Sequence, residues 1–279
     1  MKILQVMSGS KRGGAEEFFV RLTEALLQTP VQQRVVIRDY PNRVEELVSL
    51  GVETDGLPFR SRFDLGTWFR LKKIVEEWKP DVVLSWMSRG TEVCSRVLPR
   101  DGTVHVGRLG GYYKLKYFKK CDHLIGNTKG MVQYIGEELG WPREKIHYLP
   151  NFVSSSRSTA IDREALATPQ NAPLLLGLGR LHKVKAFDVL LDALSLLPDH
   201  WLWLAGTGPE EQVLREQANR IGVEKRVRFL GWRQDVASLF ATADVFVCPS
   251  RQEPLGNVVI EAWAQNVPVV AAASAGPSE

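Results

Sequence analysis

Residues 244–279 read DVFVCPSRQEPLGNVVIEAWAQNVPVVAAASAGPSE, and this stretch decides the fold class. The pattern predicts an apolar strand over residues 245–248, a polar loop over 249–256, a helix ending near Gln265 and a second strand over 269–273. Such strand, helix, strand units lie in parallel sheets, and open parallel sheets bind ligands outside the carboxyl ends of their strands. We therefore expect the loop 249–256 to face a cleft.

Two carboxylates mark this loop and the helix that follows it. Glu253 precedes the helix and Glu261 lies in its second turn, with seven residues between them. The backbone amides of Leu255 and Gly256, at the predicted helix start, are suited to an anion such as a phosphate. Carboxylates accept hydrogen bonds from hydroxyl groups, and a nucleotide sugar offers both phosphates and hydroxyls. The alternative is that Glu253 is an ordinary loop charge and Glu261 a solvated helix charge.

The stretch SRQEPLGNVVIEA resembles the motif of retaining glycosyltransferase family four, in which two Glu are separated by seven residues. The resemblance implies the GT-B fold, with two Rossmann-like, doubly wound α/β domains that face a cleft. It also implies that Glu253 contacts the transferred sugar and that Glu261 contacts the ribose of the nucleotide.

Composition and charge narrow the class of protein. The chain has 279 residues, 44% hydrophobic and 24% charged, which is typical of a globular protein with room for two domains. No apolar run is long enough to span a bilayer, and the N-terminal MKILQVMSGS is too short for a signal peptide. Three cysteines without metal-ligand spacing suit a reducing compartment, so we expect the cytoplasm.

The positive charge is concentrated in the first half of the chain. Residues 1–153 hold 24 Lys and Arg against 18 Asp and Glu, whereas the remainder holds 12 against 14. Residues 106–128 mix Tyr and Phe with cations that begin at Arg108 and end with Lys119 and Lys120. This mixture fits peripheral contact with an anionic membrane surface, and a solvated helix face is the alternative. No nucleic-acid-binding motif accompanies the charge, so we expect no nucleic acid partner.

The first loop, SGSKRGGAE, lacks both the dinucleotide fingerprint and the ending of a phosphate-binding P-loop. Gly13 and Gly14 permit close approach of backbone amides to a ligand, or they form only a tight turn. They resemble the G-G-x-E of the same family, which implies a diphosphate or acceptor loop that lies across the cleft from the donor diphosphate. The family's cleft His has no counterpart, since Gly110 or Gly111 stands there, and we do not assign its role to His105.

Alternating strand and helix patterns predict a parallel sheet covered on both faces in each half. The predicted strands of the first half are 2–7, 33–38, 81–86 and 103–108, and its helices are 15–28, 43–50, 65–78 and 91–98. Those of the second half are strands 174–178, 201–205, 226–230 and 245–248 and helices 187–197, 210–221 and 234–242. We predict domains at 1–153 and 173–279, joined by a polar linker over 154–172.

Cations and glycines follow the predicted strands of the second half. Arg180 and Lys185 lie in a loop before a helix, where fixed cations neutralise a diphosphate leaving group, although two surface cations are the alternative. They resemble the family's G-R-L and K-G-F-D pattern, with Ala186 where glycine is usual. Gly206 and Gly208 resemble the family's donor-side loop.

The sequence holds no Asp-x-Asp, so no carboxylate pair is available to bridge a metal to a diphosphate. We therefore expect no metal and no cofactor, with a nucleotide-diphosphate sugar, first among them a UDP-sugar, as donor substrate. Side-chain cations and the backbone amides at helix starts would then stabilise the negative charge of the diphosphate.

The leading hypothesis is a metal-independent retaining hexosyl-type glycosyltransferase that acts on a glycan or glycolipid, such as a lipopolysaccharide core, in cell-envelope synthesis. One alternative is a truncated, catalytically silent GT-B protein that binds a nucleotide sugar or a partner, because relatives continue beyond the position of Glu279 with further elements. Another is a GT-B epimerase that acts on a nucleotide sugar without an acceptor. The products formed from labelled nucleotide sugars distinguish the three.

Overall fold

The computed structural model describes residues 1–11, 13–61, 63–99 and 102–279. The chain forms two compact units, Met1–Phe152 and Val153–Glu279. Each unit is built around one parallel sheet with helices packed on it, as the alternating pattern predicts.

The first unit holds a seven-stranded sheet in the order β3-β2-β1-β4-β5-β6-β7. Its strands are Lys2–Met7 (β1), Gln32–Arg38 (β2), Glu53–Leu57 (β3), Val82–Trp86 (β4), Val104–Leu109 (β5), His123–Gly126 (β6) and Ile146–Tyr148 (β7). Its helices are Gly14–Leu26 (α1), Pro41–Ser49 (α2), Leu65–Trp78 (α3), Met87–Val97 (α4) and Lys129–Glu137 (α5). Strand order reverses between β1 and β4, which makes this sheet doubly wound.

The second unit holds a five-stranded sheet in the order β10-β9-β8-β11-β12. Its strands are Leu174–Leu178 (β8), Trp201–Ala205 (β9), Val227–Gly231 (β10), Val245–Cys248 (β11) and Val269–Ala271 (β12). Its helices are Phe187–Ser195 (α6), Glu211–Arg220 (α7), Val236–Thr242 (α8), Asn257–Ala264 (α9) and Ala275–Ser278 (α10). The predicted doubly wound α/β architecture is therefore confirmed in both units.

The sequence pattern missed β3, whose sequence ETDGL has no apolar alternation. This strand lies at the edge of the first sheet, and Arg34 of β2 holds it with 2.8 Å ion pairs to Glu53 and Asp55. A polar edge strand held by cross-strand charges gives little hydrophobic signal. Predicted element ends differ from the observed ones by up to four residues, as in α4, which begins at Met87 instead of Thr91.

The segment after Phe152 is polar, yet part of it packs on the second sheet. The Ile161 amide donates to Thr242 Oγ1 at 2.7 Å, and Arg163 forms a 2.9 Å ion pair with Asp244. The indole N–H of buried Trp203 donates to Thr168 Oγ1 at 2.8 Å. These contacts assign residues 161–168 to the second unit.

Two residues of the basic stretch 106–128, Arg108 and Phe118, are buried, whereas its lysines are exposed. The guanidinium of Arg108 is 3% exposed and lies between the rings of Phe18 and Trp86, 4.6 and 5.0 Å from their centroids. Burial lowers the pKa of Arg108 to about 10. Phe118 is also fully buried, in the core beside β6. Arg108 and Phe118 therefore belong to the interior of the first unit.

None of the helices in the described ranges is both long and apolar enough to cross a membrane.

His105, which the sequence analysis left without a role, lies in the interior of the first unit at 3% exposure. Its Nε2 is 2.8 Å from the hydroxyl of buried Ser85, and the ring also hydrogen-bonds the backbone of Lys120. Desolvation lowers the pKa of His105 from 6.5 to about 4, although the negative charge of Asp122 opposes this.

The buried imidazole predicts a pH dependence of folding stability. Between pH 6.5 and 4 the unfolded chain binds a proton at His105 that the folded chain does not, so stability is lost as the pH falls through this window. Relative to a His105→Asn variant, the free energy of unfolding of the wild type should fall by about 2 kcal/mol between about pH 7 and pH 5. Urea denaturation at both pH values measures this difference. Parallel pH profiles, or a His105 NMR resonance that titrates near its ordinary value, would contradict the prediction.

Candidate functional site

The candidate site lies at the switch point of the second sheet, where β8 is hydrogen-bonded to β9 on one side and to β11 on the other. Residues 179–186 leave the carboxyl end of β8, and residues 249–256 leave the carboxyl end of β11. Because both strands are parallel, the two loops emerge at the same edge of the sheet. This edge is where doubly wound sheets bind ligands.

Lys185 is fixed by a single 3-10 turn, Lys183–Lys185, that ends at Ala186. Its aliphatic stem lies over Gly179, with Cε 3.5 Å from the position that a Cβ on Gly179 would occupy. Ala186 adopts the left-handed conformation, with φ 54° and ψ 35°, and is 1% exposed. This conformation costs about 1 kcal/mol for a non-glycine residue. Alanine therefore takes a backbone conformation that favours glycine.

Lys185 and Glu253 form an ion pair between the two loops. Their side chains are only 22% and 12% exposed, so water screens the pair less than it screens surface pairs. The hydroxyl of Ser250, itself 2% exposed, donates to Glu253 Oε2 at 3.2 Å. The structure thus brings two of the predicted site residues into direct contact and leaves an ammonium and a carboxylate oriented at the edge of the sheet.

A second contact between the same loops comes from Arg251, which the sequence analysis did not select. Its amide donates to the Val184 carbonyl at 2.9 Å, and its guanidinium donates to the Lys183 carbonyl at 2.7 Å. The guanidinium also binds both carboxylate oxygens of Asp188, at 2.9 and 2.6 Å. These hydrogen bonds lower the pKa of Asp188. Arg251 therefore joins the loop that carries Glu253 to the turn that carries Lys185.

The start of α9 closes the loop around Glu253. Gly256 is the N-cap of the helix at φ +83°, and a Cβ there would lie 3.3 Å from Glu253 Cγ. The amide of Gly276 donates to the Glu253 carbonyl at 2.8 Å. A Cβ on Gly276 would lie 2.4 Å from the carbonyl oxygen of Leu255. Backbone packing on both sides thus holds residues 253–256 at the helix start.

The loop after β9 packs against the loop after β8 with backbone in direct contact. A Cβ on Gly206 would lie 1.9 Å from the Gly179 carbonyl oxygen, and one on Gly208 would lie 2.2 Å from that of Leu181. The Leu181 amide donates to the Thr207 carbonyl at 3.0 Å. Glycine is required at 206 and 208 because any side chain would separate the two loops.

The other predicted residues are Arg180, Glu261, Gly13 and Gly14. Arg180 is exposed and follows Gly179. Glu261 is half-buried in the second turn of α9, as predicted. Gly13 and Gly14 belong to the first unit, where α1 begins at Gly14. In the described ranges, no group of three or more His, Cys, Asp and Glu side chains is arranged to hold a metal ion.

Glu16 explains the glycines of the first loop. This carboxylate is 7% exposed and accepts hydrogen bonds from the Ser10 amide at 2.5 Å and the Ser10 hydroxyl at 2.9 Å. A Cβ on Gly13 would lie 2.4 Å from Glu16 Oε2, and one on Gly9 would lie 2.9 Å from Glu16 Oε1. The loop therefore folds over a buried carboxylate. The Glu of G-G-x-E was the sequence signal for it.

The loop packing predicts that two glycines with positive φ differ in their tolerance of a side chain. Gly206→Ala should lower the free energy of unfolding by about 2 kcal/mol or more, because its Cβ overlaps a backbone oxygen. Gly222→Ala is the matched control, since Gly222 has φ +73° with no atom within 4 Å, and should cost about 1 kcal/mol. Thermal unfolding of both variants measures the difference, and equal losses would contradict the described loop contact.

Comparison with known proteins identifies the family. A model described as "Glycosyltransferase Family 4" matches residues 12–157, and one described as "Glycosyl transferases group 1" matches residues 172–279. The chain is 37% identical to the lipopolysaccharide core biosynthesis glycosyltransferase LpsE of Rhizobium meliloti (strain 1021), over 99% of this chain and 80% of LpsE. It is 35% identical to LpsD of the same strain, over 100% of this chain and 80% of LpsD.

Solved structures support the fold. Anabaena Alr3699/HepE superposes with a TM-score of 0.84 at 21% identity, over 100% of this chain and 82% of that one. WaaG, a glycosyltransferase involved in lipopolysaccharide biosynthesis, superposes with a TM-score of 0.73 at 19% identity, over 99% and 82% of the two chains. With a model match over more than half of the chain and relatives above 30% identity, this protein belongs to the family of group 1 and Family 4 glycosyltransferases and has their GT-B fold.

Proposed function

We propose that this glycosyltransferase transfers a hexose from a UDP-sugar to a glycolipid of the lipopolysaccharide core, with retention of anomeric configuration. The observation that carries the proposal is the Lys185–Glu253 ion pair at the switch point of the second sheet. The names of LpsE and LpsD support the acceptor class. The structures of HepE in complex with UDP and with UDP-glucose support the donor class.

Lys185 is proposed to bind the donor diphosphate. Departure of a nucleoside diphosphate places negative charge on the phosphate oxygens, and a fixed ammonium stabilises this charge without reorganisation. The turn Lys183–Lys185 and the Arg251 contacts fix the position of the ammonium. Arg180, exposed in the loop after β8, and the amides of residues 255 and 256 at the start of α9 supply further positive character. These groups do the work that a metal does in other transferases, so we propose that transfer needs no metal.

Glu253 is proposed to bind hydroxyl groups of the transferred sugar. Its carboxylate is kept in place by the Lys185 ammonium and the Ser250 hydroxyl, so it accepts sugar hydrogen bonds in a fixed geometry. Glu261, in the second turn of α9, is proposed to bind the ribose of the nucleotide. Gly206 and Gly208 are proposed to let the donor approach the backbone closely. No side chain is assigned as catalytic base.

Gly13 and Gly14 stay a prediction for contact with the donor diphosphate or the acceptor. The carboxylate of Glu16 fixes the conformation of this loop by accepting hydrogen bonds from Ser10. A lipid-linked acceptor further implies that the enzyme acts at the cytoplasmic face of a membrane. No nucleic acid partner is proposed.

The proposed roles predict that Lys185 and Glu253 are needed for transfer, whereas the neighbouring Lys183 is not. Lys185→Ala should raise the KM for the donor and lower kcat, with kcat/KM reduced about 100-fold or more, because transition-state charge is left unpaired. Glu253→Gln should lower kcat about 100-fold or more, and its affinity for UDP should stay within about threefold of that of the wild type. Lys183→Ala is the matched control, because Lys183 lies in the same turn and its side chain is exposed. Transfer from labelled UDP-sugars to lipopolysaccharide core acceptors measures these effects.

The same assay separates the alternatives. Release of an isomeric sugar would identify an epimerase, and binding of UDP without transfer or hydrolysis would identify a silent binding protein. Unchanged turnover in Lys185→Ala and Glu253→Gln would contradict the proposed roles. Calorimetric titration with UDP, GDP and ADP should show measurable binding for UDP alone.

The Arg251 contacts predict that Arg251 and Asp188 act together as positioning residues. Arg251→Ala and Asp188→Asn should each lower kcat/KM about tenfold, and the double variant should be no worse than Arg251→Ala, because the loss of Arg251 already removes its contact with Asp188. Arg215→Ala, which removes a comparable 2.9 Å ion pair with Glu211 on α7, should leave kcat/KM unchanged. Additive losses in the double variant would show that Arg251 and Asp188 act independently.

A further inference from the structure

The region around the start of α3 exposes large apolar side chains. Phe63, Leu65 and Phe69 are 71%, 56% and 72% exposed, and they lie within seven residues of each other. We call these three residues the α3 patch. Leu65 and Phe69 are one turn apart on the same face of α3. An exposed cluster of two aromatic rings and one aliphatic side chain marks an interaction surface.

Asp64, the N-cap of α3, follows Phe63 directly and accepts hydrogen bonds from residues on both sides of it. Its Oδ1 accepts from the Thr67 amide at 3.1 Å, and its Oδ2 accepts from the Arg60 amide at 2.9 Å and the Thr67 hydroxyl at 2.9 Å. The Phe63 ring lies 5.9 Å from the guanidinium carbon of Arg96, which also lies 4.7 Å from the Trp68 ring. Phe63 is therefore exposed within a defined local structure, so little conformational entropy is lost when a partner covers it.

Basic side chains accompany the α3 patch. Residues 59–73 hold five Arg and Lys against one Asp, a charge of +4 that equals the net charge of the whole chain. Arg70 is exposed beside Phe69, and exposed Lys72 and Lys73 follow on the next turn. Lys72 and Lys73 approach Glu76 and Glu77 at 3.6 Å, toward the far end of the helix. The apolar end of this surface is thus the more positively charged end.

We propose that the α3 patch docks the protein on a membrane surface that contains anionic lipid. Aromatic and aliphatic side chains enter the interface between headgroups and acyl chains, while Arg and Lys meet lipid phosphates. Charge complementarity favours this occupant over a second copy of the chain, whose own +4 segment would be repelled. The inference rests on the proposed function and deepens it, because a lipid-linked acceptor is held in such a membrane surface.

This assignment differs from the membrane surface predicted at residues 106–128. There the structure buries Arg108 and Phe118, and Tyr113 and Tyr117 pack against the core, although Tyr112 and several lysines stay exposed. Rings in the core are not available for insertion into lipid. The two rings of the α3 patch are 71% and 72% exposed, more than Tyr112 at 50%.

Sedimentation with lipid vesicles tests the proposal on the full chain. Vesicles of phosphatidylcholine with about three parts in ten of phosphatidylglycerol should bind the wild type, and vesicles of phosphatidylcholine alone should bind it about tenfold more weakly. Phe63→Ser combined with Phe69→Ser should weaken binding to the anionic vesicles about tenfold or more. Leu196→Ser is the matched control, because Leu196 is 81% exposed in the second unit, and should bind as the wild type does.

Each outcome is decisive for the α3 patch. Equal vesicle binding by the double variant and the wild type would overturn the proposal. A wild type that dimerises and does not bind vesicles would also overturn it, if the double variant abolishes the dimer. Transfer to a deacylated, water-soluble acceptor should be unchanged in the double variant, since neither Phe is in the donor site. Vesicle binding without any transfer activity would leave the docking surface supported and would count against the proposed function alone.

Discussion

The half-buried ion pair between Lys185 and Glu253 is the interaction around which the second unit is arranged. It requires two loops from different strands to meet, and the sheet order meets this requirement by placing β8 beside β11 at the point where strand order reverses. Ser250 and Arg251 then fix the two partners from the side of β11. An ammonium and a carboxylate held in this way can contact phosphate and hydroxyl groups of one ligand, which is the chemistry that a sugar nucleotide presents.

Several residues near this pair have positive φ, a conformation that is unfavourable for residues other than glycine. Ala186 lies in the left-handed region, and Gly206 and Gly256 hold backbone at φ +134° and +83°. Each is fixed by its neighbours: Gly206 by the carbonyl of Gly179, and Gly256 by the side chain of Glu253. Strained positions are common at binding sites, and Ala186 is such a position in a loop at this edge of the sheet.

The sequence allowed the architecture to be predicted because buried parallel strands read as apolar runs, as in β8 and β11. Lys185 and Glu253 could be selected because their stretches resemble the motifs of the family; their positions between a strand and a helix alone left ordinary surface charges as the alternative. Arg251 could not, since its role depends on the carbonyls of residues 183 and 184, far away in sequence. β3 was not predicted because it is held by charge pairing with Arg34 and has no hydrophobic pattern. The burial of Arg108 was not predicted because a basic stretch predicts exposure. Periodicity reports which elements form, whereas these contacts depend on which elements become neighbours.

The most direct measurement is a crystal structure of the protein with an unreactive UDP-sugar analogue. The diphosphate should lie within about 3.5 Å of Lys185 Nζ and of the amides at the start of α9, with sugar hydroxyls donating to Glu253 and ribose hydroxyls to Glu261. An analogue bound elsewhere, with Lys185 and Glu253 still contacting only each other and Ser250, would contradict the assignment of the donor site.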